Sequence, residues 1–489
     1  MKATLFVIFL SVLVRLFLAA GSGLGIDESY MVAASTQFAA SYFDHPLASW
    51  WLELASRHIF GSSDPLVVRL PFVLLSAVSS FLLYLVTRRL FGTRAGFWAV
   101  VAYSISPVFS LAFGTWVLPD GPLNTALLAF IYALVRALGL PNDKPAPRWW
   151  LWAGLFAGLA MLSKYNAVLV LVGAALGVLL DPVGRKQLAS PFPWLGVVLA
   201  LLLTTPIIVW NVQHHLASFD YQSGRALGFR FRPLMPLSIW GGEALYVAPW
   251  LWVPMIWVMI RGFVTGPAWR PNWLLAWAAV IPVLLFAVVG LWSHTRILYH
   301  WAAPGYLMLF PLLGDWATRR SKALLSVIAL LSATLLCFAS ILLVGFAQGG
   351  PIGPLVTLYS PGKSPLLQVM DWTGIGRNLP PDIDAIAAQR WFDAGKVGYG
   401  LLCDGIHVPV TVFGDQPHEF AFSTPPASLL GKNVLVLAMP GGFTGTISKF
   451  TKDFKSFTPG PVLLVARENH VFLVIPTFIG RDMVAVPKP

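Results

Sequence analysis

Charge is what this 489-residue chain has least of: Asp, Glu, Lys and Arg together make up 11% of it, against roughly a quarter in an ordinary soluble domain. With 57% hydrophobic residues and a mean hydropathy of +0.72, that shortage excludes a conventional soluble fold. Cysteine is scarce as well. Cys337, in an apolar run, and Cys403, far from it, supply neither a disulfide framework nor a thiolate metal site. No P-loop and no Gly-x-Gly-x-x-Gly turn precedes an α/β unit, so an ordinary nucleotide-binding fold is not expected. Tandem repeats and the compositional bias of disorder are also missing.

What is present is a series of long apolar runs. They occur near 2–20, 67–87, 95–112, 120–136, 149–163, 166–180, 192–210, 237–260, 273–291, 299–314 and 323–346, and the expectation is a polytopic α-helical membrane protein of about eleven spans. The first run, interrupted by Arg15 and followed by Gly21-Ser22-Gly23, is expected to be a retained helix rather than a cleaved signal. Ser163-Lys164-Tyr165-Asn166 separates two short runs and predicts a broken or tilted helix. The 21 Trp, 12 Tyr and 33 Phe suit aromatic belts at two lipid-water interfaces.

Basic residues fix a direction. The formal charge of +12 is spread over small clusters rather than one stripe, which favours membrane orientation over nucleic acid. With the N-terminus inside, the inner loops hold Arg88, Arg89 and Arg94, then Lys144 and Arg148, Arg185 and Lys186, Arg261 and Arg270, and finally Arg319, Arg320 and Lys322. The outer set is rich in acid: Asp27, Glu28, Asp44, Glu53, Asp64, Asp120 and Asp220. An odd number of spans sends the tail outside. The expected domains are a membrane domain over 1–346, with an outer first loop at 21–66, and a small extracytoplasmic α/β domain over 347–489. Pro351, Pro354 and Pro361 mark the linker. Strands are expected at 408–413, 433–438, 461–466 and 470–476, and a polar helix near 382–395. In the outer loop, 28–40 and 46–60 read as helices lying on the membrane surface.

Candidate chemistry gathers on the acidic side. Asp27 and Glu28 stand at the outer end of the first run, where a carboxylate can take a proton from a hydroxyl nucleophile; two acids ending a helix is the plainer reading. Asp44-His45-Pro46 offers an acid and an imidazole, and Asp44 equally suits a cap on the helix that Pro46 begins. Asp120, in Trp116-Val117-Leu118-Pro119-Asp120-Gly121-Pro122, reaches the same rim or caps the next helix. Four cations also fall on this side: Arg69, Lys164, Arg225 and Arg296. An anionic phosphate explains them together, and snorkelling explains each singly. The Trp210–Gln222 segment carries hydroxyl-binding groups, with His214 and His215 adjacent and so not at metal-binding spacing. His300 sits on a polar rim with Arg296 and Tyr299.

The order of these landmarks resembles a family. Asp27-Glu28, Tyr42-x-Asp44-His45-Pro46, Arg69-Leu70-Pro71, Pro119-Asp120-Gly121-Pro122-Leu123, Ser163-Lys164-Tyr165, the Trp210–Gln222 segment and His300-Trp301-x-x-Pro304-x-Tyr306 are similar to those of bacterial GT-C membrane glycosyltransferases. These are the enzymes related to protein O-mannosyltransferases and lipid A aminoarabinose transferases, and the resemblance covers about residues 1–346. It implies a GT-C-like fold and transfer of a sugar from a polyprenyl-phosphate donor to a hydroxyl on lipid A, an oligosaccharide or a protein. The site would be at the periplasmic face of the bacterial inner membrane.

The resemblance also assigns roles. It makes Asp27 the general base, Asp120 a second acid and Glu28 a group orienting Asp27 or the acceptor. Lys164, Arg225 and Arg296 become cations for the donor phosphate, and Asp44, His45, Arg69, Tyr165 and His300 stand beside them as this reading's own candidate substrate contacts. No organic cofactor is implied. Related sites raise a divalent ion, although the acids and histidines here lack a metal motif. The different-class alternative is a lipid or solute transporter lined by a broken helix at Ser163-Lys164.

Overall fold

The computed structural model describes residues 1–224, 229–348, 365–439, 443–467 and 470–487. Arg225, the expected linker prolines, Gly349-Gly350 and Gly441-Gly442 lie outside them. The chain divides into two compact units. The first comprises Met1–Leu16, Ala39–Ser49 and Pro71–Cys337; the second comprises Phe17–Phe38, Trp50–Leu70 and Phe338–Pro489.

Helix α1 (Lys2–Gly21) is followed by α2 (Ile26–Ala34) and α3 (Ala48–Phe60), and then by α4 (Pro65–Phe91). The two outer-loop helices thus fall close to the expected 28–40 and 46–60. Arg15, which interrupts the first apolar run, is fully buried; its Nε donates to Ser110 O at 3.2 Å and its Nη1 to Ser76 Oγ at 3.0 Å. A charge among apolar helices persists because polar atoms of neighbouring helices meet it.

The expectation of about eleven spans is corrected. Among the described residues five helical runs are long and apolar enough to cross a membrane: Lys2–Gly21, Pro65–Phe91, Pro191–Gln213, Pro249–Val289 and Lys322–Ala347. A sixth is added if Thr93–Ile105 and Val108–Thr115, bent by 83°, form one broken span. Crossing about 30 Å of hydrocarbon takes about 20 helical residues. The expected spans near 120, 149, 166 and 299 instead form helices of 18, 15, 13 and 16 residues. The run near 237–260 breaks at Ala248, where φ is 96°, and its second half joins the run Pro249–Val289.

The overcount has a physical cause. Apolar composition signals removal from water, and burial in protein produces it as readily as burial in lipid. Most of Asp120–Ala137 and Ala303–Thr318 is buried inside the first unit's core, around Phe109, Leu127, Tyr306 and Phe310.

The second unit contains a five-stranded sheet in the order β2-β1-β3-β7-β4, from β1 (Ala385–Ala388), β2 (Val410–Val412), β3 (Val434–Leu437), β4 (Phe454–Pro459) and β7 (Thr477–Met483). Strand β1 is parallel to β2 and β3, whereas β7 is antiparallel to β3 and β4, so the sheet is mixed. A separate hairpin pairs β5 (Leu463–Arg467) with β6 (His470–Ile475). Four strands fall where the alternation of the sequence placed them. The helix expected at 382–395 starts instead as β1, because the short apolar run Ala385-Ile386-Ala387-Ala388 is buried between two parallel partners. The helix begins at Trp391 and runs to Cys403.

Candidate active site

In the second unit, α1 ends at Gly21 and the link Ser22–Gly25 leads into α2, whose first turn carries Asp27 and Glu28. The adjacent acids separate sharply: Asp27 is exposed and Glu28 is buried, at 2% exposure. Glu28 Oε2 accepts the Gly25 N–H at 2.8 Å, the return half of a capping box. Its carboxylate also receives Arg69 in a fork, Nε to Oε1 at 2.8 Å and Nη2 to Oε2 at 2.6 Å. The rest of the Arg69 guanidinium donates to Ser22 O, Gly23 O and Ser22 Oγ at 2.8, 2.8 and 3.0 Å. Arg69, fully buried, holds the link between α1 and α2.

Both ends of α2 are tied down. At its start, Leu24 N–H donates to Asp371 Oδ1 at 2.7 Å, and Lys396 Nζ donates to Leu24 O. Gly23 is required here, since a Cβ would lie 2.6 Å from the Asp371 nitrogen and the Val369 oxygen. At the far end, Arg57 Nη1 reaches Val32 O at 3.0 Å, and Ser35 Oγ donates to Glu53. Between them, Tyr30 packs edge-on against Trp50, Trp391 and Phe420 at 5.6, 5.1 and 5.6 Å, and its hydroxyl accepts the Glu419 N–H at 2.8 Å. Burial pushes the Glu53 carboxyl up to about 7, with Arg57 and Ser35 opposing. It pushes the Lys396 ammonium down to about 8, with Asp371 and Glu28 opposing and Arg69 adding to the fall.

The first unit assembles a second group. Asp120 opens the helix Asp120–Ala137, and Lys164 stands in the extended break after Trp149–Ser163. The Lys164 ammonium lies on both Asp120 oxygens, at 2.9 and 2.8 Å, with both residues buried. From the same break, Tyr165 meets Phe219 edge-on at 6.0 Å, and Asn166 Nδ2 donates to Trp301 O at 3.3 Å beside His300. Helix Ala217–Gly224 in turn holds the 42–44 segment: Ser218 Oγ donates to Tyr42 O at 3.2 Å and Gln222 Nε2 to Asp44 O at 2.8 Å. Asp44 is buried and His45 half-buried beside it. His300 has its ring 6.4 Å from Phe113. Arg296 is exposed in the irregular segment before Tyr299.

The sequence candidates thus fall into two groups, Asp27, Glu28 and Arg69 in one unit and Asp44, His45, Asp120, Lys164, Tyr165, Arg296 and His300 in the other. The parts played by Lys396 and Asp371 were not read from the sequence. The signal for Lys396 was a lone cation amid Gly395, Gly398 and Gly400, small residues that allow close helix packing. Among the described residues no three His, Cys, Asp or Glu side chains are grouped to hold a metal ion.

The profile of the dolichyl-phosphate-mannose-protein mannosyltransferase family matches residues 44–210. The lipid A galacturonosyltransferase RgtD of Rhizobium johnstonii is 25% identical over 291 residues, 58% of this chain and 58% of that protein. The undecaprenyl phosphate-alpha-4-amino-4-deoxy-L-arabinose arabinosyl transferase of Shewanella sediminis is 29% identical over 182 residues, 37% and 32% of the two chains. The match therefore spans less than two thirds of either relative's length. In three dimensions the chain overlays ArnT from Cupriavidus metallidurans bound to undecaprenyl phosphate, with a TM-score of 0.61 at 16% identity over 99% of each chain. The chain is thus similar over part of its length to mannosyltransferases and arabinosyl transferases, and it has the fold of ArnT. The structural overlay carries the fold, a polytopic α-helical membrane portion with a C-terminal mixed-sheet portion.

Proposed function

We propose that this protein transfers a sugar from a polyprenyl-phosphate donor to a hydroxyl on lipid A, an oligosaccharide or a protein, at the periplasmic face of the bacterial inner membrane. The reading is supported by the relatives, which are named for lipid A and undecaprenyl-phosphate sugar transfer. The observation that carries it is the division of labour in α2: Glu28 is buried on Arg69, while Asp27, one residue away, is exposed on a firmly held helix. A base must be reachable and must stand still. The basic clusters on one set of loops and the acids on the other support an inside N-terminus and an outside tail.

In the proposed mechanism Asp27 removes the proton of the acceptor hydroxyl as its oxygen attacks the anomeric carbon. The new C–O bond forms as the bond to the phosphate oxygen breaks. Its electron pair leaves with polyprenyl phosphate, which passes from one negative charge to two. Lys164, Arg225 and Arg296 are the proposed cations for that charge, and Asp120 the group that orients Lys164. Asp44, His45, Tyr165 and His300 are proposed to contact the sugar or acceptor. Arg69 and Glu28 serve by holding α2. A single displacement inverts the anomeric configuration, and no carboxylate is needed as a nucleophile.

The test supplies purified protein in lipid with labelled polyprenyl-phosphate sugars and candidate acceptors. The expected result is covalent, donor-dependent product of inverted configuration. Retained configuration contradicts the single displacement, and movement of substrate across the bilayer without product supports a transporter instead.

A further inference from the structure

Side chains from other parts of the second unit meet several backbone groups of the link Ser22–Gly25. Arg69 takes Ser22 O and Gly23 O, and Glu28 takes the Gly25 N–H. The N–H of Leu24 goes to Asp371 and its C=O to Lys396, which lie 347 and 372 positions further along the chain, the C=O also accepting Ser29 Oγ at 3.3 Å. Lys396 is 2% exposed and also donates to Met370 O at 3.0 Å.

Placing an ammonium in the protein interior costs several kcal/mol unless it is well paired. Merely ending a helix does not call for that, since water serves the same groups at an exposed turn. The pairing here is specific. Asp371 and Lys396 take the N–H and the C=O of one residue, and the Cα of Gly23 sits so close to Asp371 that no side chain fits. The helix carrying Lys396 is pressed on α2 as well: a Cβ on Gly395 would stand 2.6 Å from Tyr30 Cα, and one on Gly398 2.8 Å from Ala33 Cβ. Leu24 is three residues before Asp27, so whatever fixes Leu24 fixes the start of the helix that presents the acid.

We propose that Asp371 and Lys396 are positioning residues for Asp27: by gripping the N–H and C=O of Leu24 they make the C-terminal segment the support on which the outer acid is set. This inference rests on the reading of Asp27 as the base. It gives the C-terminal segment a part in turnover without contact with substrate.

Three full-length variants in lipid test it: Asp371→Ala, Asp371→Asn and Lys396→Met. Displacing a reacting group by about 1 Å costs on the order of 100-fold in rate, so Asp371→Ala is expected to lower kcat by about tenfold to a hundredfold while donor KM changes by less than about threefold. Asp371→Asn retains an oxygen to accept the Leu24 N–H and is expected to recover most of the rate. Hydrogen exchange supplies a readout independent of chemistry: residues 22–34 exchange faster in Asp371→Ala and Lys396→Met, with the spans unchanged. Folded Asp371→Ala and Lys396→Met proteins with wild-type kcat overturn the inference, as does unchanged exchange over 22–34. If the wild type turns over no polyprenyl-phosphate sugar, the glycosyl-transfer reading fails by itself, and the exchange data still decide whether the two residues hold the turn. Should Asp371→Ala not fold, Lys396→Met carries the same two readouts.

Discussion

Arg69 and Glu28 meet as a fully buried fork, two parallel N–H···O bonds of 2.8 and 2.6 Å between the start of α4 and the first turn of α2. Fork geometry suits Arg and no other cation. The arrangement turns one of two adjacent outer acids into structure and leaves the other exposed.

Removing one member of that pair strands the other. Arg69→Met or Glu28→Gln should each cost about 3–5 kcal/mol, whereas replacing both by apolar residues should recover much of the loss. Apparent melting temperatures of the two single variants and the Arg69→Met/Glu28→Met double variant, in one detergent, check this. A double variant as unstable as the sum of the singles would contradict it.

Lys164 and Asp120 form the corresponding pair in the first unit, with both oxygens engaged. If Lys164 also meets the leaving phosphate, Lys164→Met should lower kcat by about 10²–10³-fold, the usual loss for a preorganised charge partner. The expected signature is weakened binding of polyprenyl phosphate alone, measured by displacement of a fluorescent analogue. Unaltered binding in a folded Lys164→Met protein would restrict the pair to holding the helix break.

Glu53 gives a stability profile of defined sign. Its carboxyl is raised from 4.5 to about 7 by burial, so between these pH values the folded chain binds more protons than the unfolded one. Stability from this group is full below pH 4.5 and is lost as pH rises through about 7, by about 3 kcal/mol in all. Glu53→Gln should flatten that fall, seen by comparing apparent melting temperatures at pH 5 and pH 8. Equal pH dependence in both proteins would show that Glu53 ionises normally.

Gly395 tests the close packing on α2. A methyl group there runs into the Tyr30 backbone at 2.6 Å, and backbone yields less than a side chain. Gly395→Ala should destabilise by about 1–3 kcal/mol through overpacking and should lower turnover, while Gly405→Ala, with open space but a φ of 71°, should affect stability alone. Wild-type melting and rate in Gly395→Ala would show that α2 is not pressed as tightly as this.

The outer acids, the basic inner clusters, the break at Lys164 and four C-terminal strands were legible because each depends on local pattern: charge beside an apolar run, a polar interruption, period-two alternation. The number of spans was not. Asp120–Ala137 and Ala303–Thr318 are apolar because protein surrounds them, and composition does not distinguish that from lipid. Lys396 was missed for another reason: one of its two carbonyl partners lies 372 positions away, and no spacing rule reaches so far. By local pattern Asp27 and Glu28 read alike, and only the resemblance gave them different roles; the fold places Arg69 on Glu28 and leaves Asp27 exposed.

The central claim is that Asp27 is the base for a sugar transfer, and its most direct test compares wild type with Asp27→Asn in turnover of a labelled polyprenyl-phosphate sugar, with folding verified by hydrogen exchange over 22–34. The account predicts a loss of about 10²–10⁴-fold in kcat with the exchange pattern unchanged. Turnover by a folded Asp27→Asn protein equal to wild type would contradict it.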